Sequence, residues 1–234
     1  MQLTVRDAAR VFNVPENTIY RWIEEDGLPA YRVNEQYRFN RAELLEWVAS
    51  HKGTRVTITP ELFQQPPGAH TYELSAALQD GGIHHGVPGT DRESVLRAVV
   101  ALLGLPRESD REQLLEVLLA REQLGTTAIG DGIAIPHVRN PLVMRVTRPS
   151  IMLCFLEHAV DFGARDGKPV DTLFTLITPT VHTHLHVLSR LAMALHDPGF
   201  HASIRGRAAP EEILREARRL ETALAQTQPG QVHP

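Results

Sequence analysis

A single cysteine, Cys154, occurs among 234 residues, and it lies inside the apolar run "IMLCFL". One thiol excludes an intrachain disulfide framework and a paired-cysteine zinc site, and a buried reduced thiol suits a reducing compartment. No apolar stretch reaches the ~20 residues of a bilayer-spanning helix. "MQLTVRDAAR" carries charge from Arg6 and Asp7 onward, unlike the opening of a signal peptide. The net charge is only −4, so no global field draws the chain to nucleic acid or to an anionic membrane. HExxH, GxSxG and a glycine-rich loop ending in GKS or GKT are all missing. Their absence argues against a zinc protease, a nucleophile-elbow hydrolase and a P-loop nucleotidase. No internal repeat is visible. The expectation is a soluble cytoplasmic protein of one large domain or two smaller ones, with no membrane partner.

Residues 1–52 read as a small helical unit with a hairpin. Thr4 caps a helix over residues 5–12 with Asp7 as its capping-box partner, and Ala8, Val11 and Phe12 form the apolar stripe. "NVP" ends it, and Pro15 is expected in the first turn of a second helix. There Ile19, Trp22 and Ile23 fall at i, i+3 and i+4 until Gly27 stops the run. "AYRVNEQYRF" alternates about a polar turn at residues 34–36, a hairpin pattern. Asn40 then caps a third helix, with Glu43 three residues on and Leu44, Leu45 and Val48 facing inward.

Residues 53–71, rich in proline and glutamine, read as a linker. Residues 72–224 turn to a mixed α/β pattern. "TDRESVLRAVVALLGL" and "DREQLLEVLLAREQLG" read as helices, each opened by a Thr or Asp cap. "TTAIGDGIAIP" reads as a strand with a turn in it, and "SIMLCFLE" and "TLFTLITP" as short buried strands. "THLHVLSRLAMALHD" and "PEEILREARRLETA" read as closing helices, and residues 225–234 as a disordered tail. The expected architecture is a small α+β winged helix-turn-helix domain followed by an α/β domain, a mixed sheet flanked by helices.

In a winged helix-turn-helix the second helix enters the major groove and the hairpin reaches the flanking backbone. The second helix offers Asn17, Thr18 and Arg21, and the hairpin offers Arg32, Asn34, Gln36 and Arg38, side chains that reach bases and phosphates. Against this, residues 1–52 hold seven Lys or Arg and eight Asp or Glu, whereas DNA-binding domains are usually basic. A protein-interaction module that kept the fold stays open.

Twelve histidines raise the question of metal. "HTHLH" sets His182, His184 and His186 at alternate positions; on a helix His182 and His186 share a face while His184 points elsewhere. Without a second thiol or HExxH the zinc signal is weak, and neither metal nor cofactor is expected. Phosphoryl transfer through histidine accounts for more. In "GDGIAIPHVRN", His137 follows a proline and a glycine-punctuated apolar run. A neutral imidazole is nucleophilic near neutral pH, and a backbone carbonyl can hold one ring nitrogen so that the other attacks. Cationic and neutral donors nearby suffice for the phosphohistidine. Arg121, His184 and the "GDG" turn are the candidates.

Two resemblances follow. "LTVRDAARVFNVPENTIYRWIEEDGLPAYRVNEQYRFNRAELLEWV" resembles the excisionase-type, MerR-related helix-turn-helix family, departing at Pro15 where a serine-like cap is common. That resemblance implies double-stranded DNA as a partner. "LLEVLLAREQLGTTAIGDGIAIPHVRN", "VDFGARDGKPVDTLFTLITPT" and "HLHVLSRLAMALHDPGF" resemble the enzyme IIA domain of the bacterial phosphotransferase system. The branch is the fructose/mannitol type, which includes the nitrogen-regulatory proteins. This second resemblance implies His137 as phosphoryl acceptor, Arg121 facing the phosphate and His184 as the second site histidine. It also implies a histidine phosphocarrier protein as partner. Val138 stands where the family usually has a small residue, which bears on how closely a donor can approach.

Together these imply a phosphorylation-responsive regulator: a phosphoryl carrier rather than a stand-alone turnover enzyme, with a homodimer left open. Two alternatives stand beside it: a phosphotransfer intermediate whose helix-turn-helix contacts protein, and a histidine-rich metal-responsive repressor.

Overall fold

The computed structural model describes residues 2–33, 36–40, 44, 47, 72–104, 107–137 and 146–226. The chain divides into two compact units, residues 1–71 and 72–234.

The first unit opens with β1 (Gln2–Thr4), a strand the alternation of so short a segment did not disclose, and continues into α1 (Val5–Val11). Thr4 Oγ1 accepts from Asp7 N at 3.2 Å and Thr4 N donates to Asp7 Oδ2 at 3.0 Å, so both arms of the capping box are made. Those bonds hold the Asp7 carboxyl below its ordinary pKa. In α2 (Glu16–Glu24) Pro15 is the N-cap, one position before the expected first turn, and no side chain caps the helix. A proline ring cannot accept a hydrogen bond; it only presets the backbone. β2 (Tyr31–Val33) pairs antiparallel with β3 (Gln36–Asn40), and β1 pairs with the other edge of β3. The core is aromatic: Phe12 meets Trp22 at 5.5 Å between ring centroids, and Trp22 meets Trp47 at 5.2 Å. Trp47 Nε1 donates to Asp26 O, which satisfies its one polar atom. Leu44 is buried as expected. The hairpin turn at 34–35, Glu43, Leu45, Val48 and the linker at 53–71 lie outside the described residues.

The second unit is built on a five-stranded mixed sheet of order β4-β7-β8-β6-β5. Its strands are β4 (Ile83–Val87), β5 (Ala128–Gly130), β6 (Ile133–Ala134), β7 (Ser150–Val160) and β8 (Val170–Ile177). β4 and β7 run parallel, as do β6 and β8, while β7 with β8 and β5 with β6 are antiparallel. β7 is buried on both faces from Ile151 to Leu156, so helices must cover both sides. Met152, Cys154 and Leu156 join one apolar cluster with Val95, Leu96, Val99, Leu114 and Leu118. These come from α4 (Arg92–Leu102) and α5 (Glu108–Gln123). By strand alternation Ile151, Leu153 and Phe155 face the opposite layer.

Of the two helices expected to open on a Thr or Asp cap, one does and one does not. Asp91 caps α4 through Ser94, as a Thr or Asp cap would. α5 starts earlier than Asp110, at Glu108, with Arg107 as N-cap; Asp110 sits in the first turn, where its charge suits the helix dipole. α3 (Leu74–Gly81) and the edge strand β4 add elements that sequence periodicity alone did not resolve. A Cβ on Gly81 would lie 2.3 Å from the Ile151 carbonyl, so α3 can approach β7 this closely only with glycine there. α6 (Val181–His196), α7 (Pro198–Arg205) and α8 (Pro210–Gln226) close the unit. α8 runs through Gln226, past the expected end of the domain at Leu224; residues 227–234 lie outside the described set. Glu221 on α8 accepts from Ser75 N at 2.9 Å and Ser75 Oγ at 2.7 Å, tying the last helix to the start of α3.

Candidate functional site

The "GDG" segment ends β5 at Gly130 and supplies the two-residue loop of the β5–β6 hairpin, Asp131 and Gly132. Asp131 at φ 51° and Gly132 at φ 72° both take left-handed backbone, the geometry of an Asp-Gly type I′ turn. Past β6 the chain keeps alongside β8: Leu176 N donates to Pro136 O at 3.0 Å, and His137 forms a parallel bridge with Leu176. This carries His137 toward the carboxyl end of β8. In open α/β sheets that edge is where ligands are bound, because loops and helix starts converge there.

The His137 ring is oriented by its own backbone. Nδ1 lies 2.8 Å from Ile135 O, and Arg121 Nε donates toward Nε2 at 3.4 Å. A carbonyl can only accept, so Nδ1 carries the proton and Nε2 presents a lone pair. Arg121, near the end of α5, also donates from Nη1 to Gly125 O at 2.9 Å. His184 comes from the first turn of α6, and its ring lies 5.0 Å from that of His137, tilted by 36°. That turn is capped by Thr180 Oγ1, which accepts from Thr183 N at 3.1 Å. Arg121 is 8%, His137 2% and His184 2% exposed. In so dry a site the guanidinium charge is weakly screened, and the N-terminal end of α6 adds a further bias toward an anion.

The other histidines of "HTHLH" do not join this cluster. His182 is exposed, while His186 is buried with Nε2 on Tyr72 O at 3.2 Å. Among the described residues no three His, Cys, Asp or Glu side chains converge to hold a metal ion. Val138 lies outside the described residues. Glu122, which spacing alone did not single out, is buried next to Arg121 and accepts from Thr127 N at 3.0 Å and Thr127 Oγ1 at 2.6 Å. A carboxylate beside an arginine in "ARE" was the only signal available.

The nucleic-acid candidates separate into two groups. Asn17 and Arg21 are exposed on α2, and Thr18 is half-buried. Arg32 pairs with Tyr37 across the hairpin, and Tyr37 packs edge-on against Tyr20 of α2 at 6.0 Å. Directly opposite residues share a sheet face, so Arg32 belongs to the α2 side. Arg38, opposite Tyr31, lies on the other face and is held by Gln36 Oε1 at 2.8 Å and Tyr37 O at 3.1 Å. The expected set Asn17, Thr18, Arg21, Arg32 and Arg38 therefore does not form one surface; the register of β2 on β3 removes Arg38. Tyr20 and Tyr31, 44% and 51% exposed, are surface aromatics that the sequence reading passed over.

The family model described as the phosphoenolpyruvate-dependent sugar phosphotransferase system EIIA 2 component matches residues 77–217. The chain belongs to this EIIA family. A helix-turn-helix domain model matches residues 3–52 ahead of it. The Nitrogen regulatory protein of Pseudomonas aeruginosa is 40% identical over 126 residues, spanning 52% of this chain and 79% of that protein. Its Escherichia coli counterpart is 32% identical over 145 residues, 61% of this chain and 88% of that one. The crystal structure of the nitrogen regulatory protein IIA-Ntr from Neisseria meningitidis superposes with a TM-score of 0.52 at 28% identity. It covers 62% of this chain and 98% of that one. The second unit is thus an EIIA-type α/β fold similar to nitrogen regulatory proteins. No helix among the described residues is long and apolar enough to cross a membrane.

Proposed function

We propose that His137 of the EIIA unit accepts a phosphoryl group from a histidine phosphocarrier protein. The N-terminal winged helix-turn-helix binds double-stranded DNA, so that the chain works as a phosphorylation-responsive cytoplasmic regulator. One observation carries the phosphoryl half: Nδ1 of His137 on Ile135 O at 2.8 Å, with Nε2 turned to Arg121. In the transfer the Nε2 lone pair forms a new P–N bond while the P–N bond to the carrier's imidazole breaks. The leaving imidazole keeps that electron pair. The proton stays on Nδ1, donated to the Ile135 carbonyl, which disperses the positive charge arising on the His137 ring. The Arg121 guanidinium swings from Nε2 to the phosphoryl oxygens, and His184 faces them from the start of α6. The donor phosphoramidate supplies the driving force, so the step calls for neither nucleotide nor metal.

For the DNA half, Asn17, Thr18 and Arg21 of α2 would meet the groove and Arg32 the backbone beside it. A second reading is favoured by the charge balance of residues 1–52, seven basic against eight acidic, and by exposed Glu16, Glu24 and Glu25 on and just after α2. In that reading the chain is a phosphotransfer intermediate whose first unit docks on a protein. Incubation with a phosphorylated carrier, followed by mapping of the phosphohistidine, tests the first half. Label at His137 that is absent from His137→Ala is expected; label at His182 or His186 overturns it. Selection of bound duplexes from a random pool separates the two roles of the first unit, since enrichment of no sequence leaves only the protein-docking reading.

A further inference from the structure

Glu122 is a carboxylate at 5% exposure, on the last turn of α5 and away from every ion pair described. Burying such a charge is costly unless hydrogen bonds replace its water. Here both oxygens are occupied by one residue, Thr127, through its backbone N at 3.0 Å and its hydroxyl at 2.6 Å. Two arms leave the short segment that this pair clamps. One is Gly125 O, which receives Arg121 Nη1 at 2.9 Å. The other is Thr127 O, which receives Ile135 N at 3.0 Å, and Ile135 O in turn receives His137 Nδ1 at 2.8 Å. Thr126 anchors the same segment to Phe162 O; Gly125 N donates to Glu122 O at 3.3 Å, and the Glu122 carboxylate adds the side-chain tie that reaches past Gly125 to Thr127.

We propose that Glu122 is a positioning residue that fixes the guanidinium of Arg121 and the Nδ1–H tautomer of His137 relative to each other. It touches neither ring nitrogen. It holds the backbone from which both are hung: the Gly125 carbonyl that orients Arg121 and the Thr127–Ile135 link that sets the carbonyl under His137. Loss of the clamp lets that segment relax, and the two groups drift apart by a fraction of an ångström. Misplacement on the scale of 1 Å slows a positioned reaction on the order of 10²-fold. The inference rests on the phosphoryl-acceptor reading of His137 for its kinetic consequence but not for its structural one.

Three variants of the full chain test it, each read two ways. Glu122→Ala removes both bonds. Glu122→Gln keeps both, because its amide oxygen accepts from Thr127 N while its NH₂ donates to the Thr127 hydroxyl. Thr127→Val keeps the volume and removes only the hydroxyl arm. The first readout is the transfer rate from phosphorylated carrier; the second is the tautomer of His137 from ¹⁵N chemical shifts of the unphosphorylated protein at alkaline pH. Expected are a roughly 10–100-fold slower transfer for Glu122→Ala, a smaller loss for Thr127→Val, and a rate near wild type for Glu122→Gln. In the first two the Nδ1–H form should give way to a tautomer mixture. Should Glu122→Ala fail to fold, Thr127→Val carries both readouts. Wild-type rate and a single tautomer in the folded variants overturn the proposal, as does a loss in Glu122→Gln equal to that in Glu122→Ala. If wild type takes no phosphate, the acceptor reading fails, and the tautomer measurement still decides the role of Glu122.

Discussion

Replacement of Arg121 by alanine probes the site most directly, because two effects of opposite sign meet there. At 3.4 Å its Nε–H engages the lone pair of His137 Nε2 that must attack. Removing it frees that lone pair, a gain of about 1 kcal/mol at most for so long a bond. Against this, the phosphoryl oxygens lose a guanidinium in a site where Arg121 itself is only 8% exposed. One preorganised donor opposite developing charge is worth about 10²–10³-fold, roughly 2.7–4 kcal/mol. The loss outweighs the gain, and transfer should slow on the order of 10²-fold. Arg121→Lys keeps the charge without the planar fork and should fall between. The fold should survive: the Nη1 bond to Gly125 O contributes about 1 kcal/mol, a fraction of the 5–15 kcal/mol typical of a domain. The melting point should drop by about 2–4 °C. Quench-flow measurement of transfer from a labelled carrier, alongside a circular-dichroism melt, gives both numbers. Wild-type transfer speed in a folded Arg121→Ala protein refutes the role of the guanidinium, and so does a slowing that merely tracks loss of fold.

Burial, then the Arg190 charge, holds His186 below the ordinary histidine value of 6.5, with the Tyr72 carbonyl bond opposing. A folded-state pKa below the unfolded one means that its stabilisation is present above about pH 6.5 and is lost as pH falls. The EIIA unit should therefore melt lower from pH 7 to pH 5, and His186→Gln should flatten that decline; parallel curves refute the assignment. Burial pushes the Cys154 thiol up to about 12, so a maleimide at pH 8 should leave the native protein unlabelled and react only after denaturation. Labelling of native protein at the denatured rate contradicts its place in the core. On a selected duplex Arg21→Ala and Arg32→Ala should weaken binding while Arg38→Ala changes it little. Few cationic contacts imply a shallow salt dependence, each neutralised phosphate adding about −0.9 to the log–log slope. Equal losses from all three arginines would place Arg38 at the DNA after all.

Local chemistry was legible in the chain itself. The Thr4–Asp7 capping box, the Asp91 cap, the Asp131–Gly132 turn and the buried strands β7 and β8 depend on residues a few positions apart, or on an apolar run that can end up only inside. The trio Arg121, His137 and His184 was readable as a pattern, but 63 residues separate its ends. No periodicity specifies that they meet at the carboxyl edge of β6 and β8. Where local signals were ambiguous, the tertiary structure decided. Pro15 became a cap because the chain turns one residue later than its composition implies, and β1 became a strand because β3 offered it a free edge. Arg32 and Arg38 were divided between two faces by a register of which each strand carries only half. The proton on His137 was placed by the Ile135 carbonyl, which two intervening peptide units and the ladder with β8 bring under the ring. Hydrogen bonds within a turn or a cap are fixed by neighbouring residues, whereas pairing register, convergence of distant groups and the choice of a tautomer require the assembled sheet.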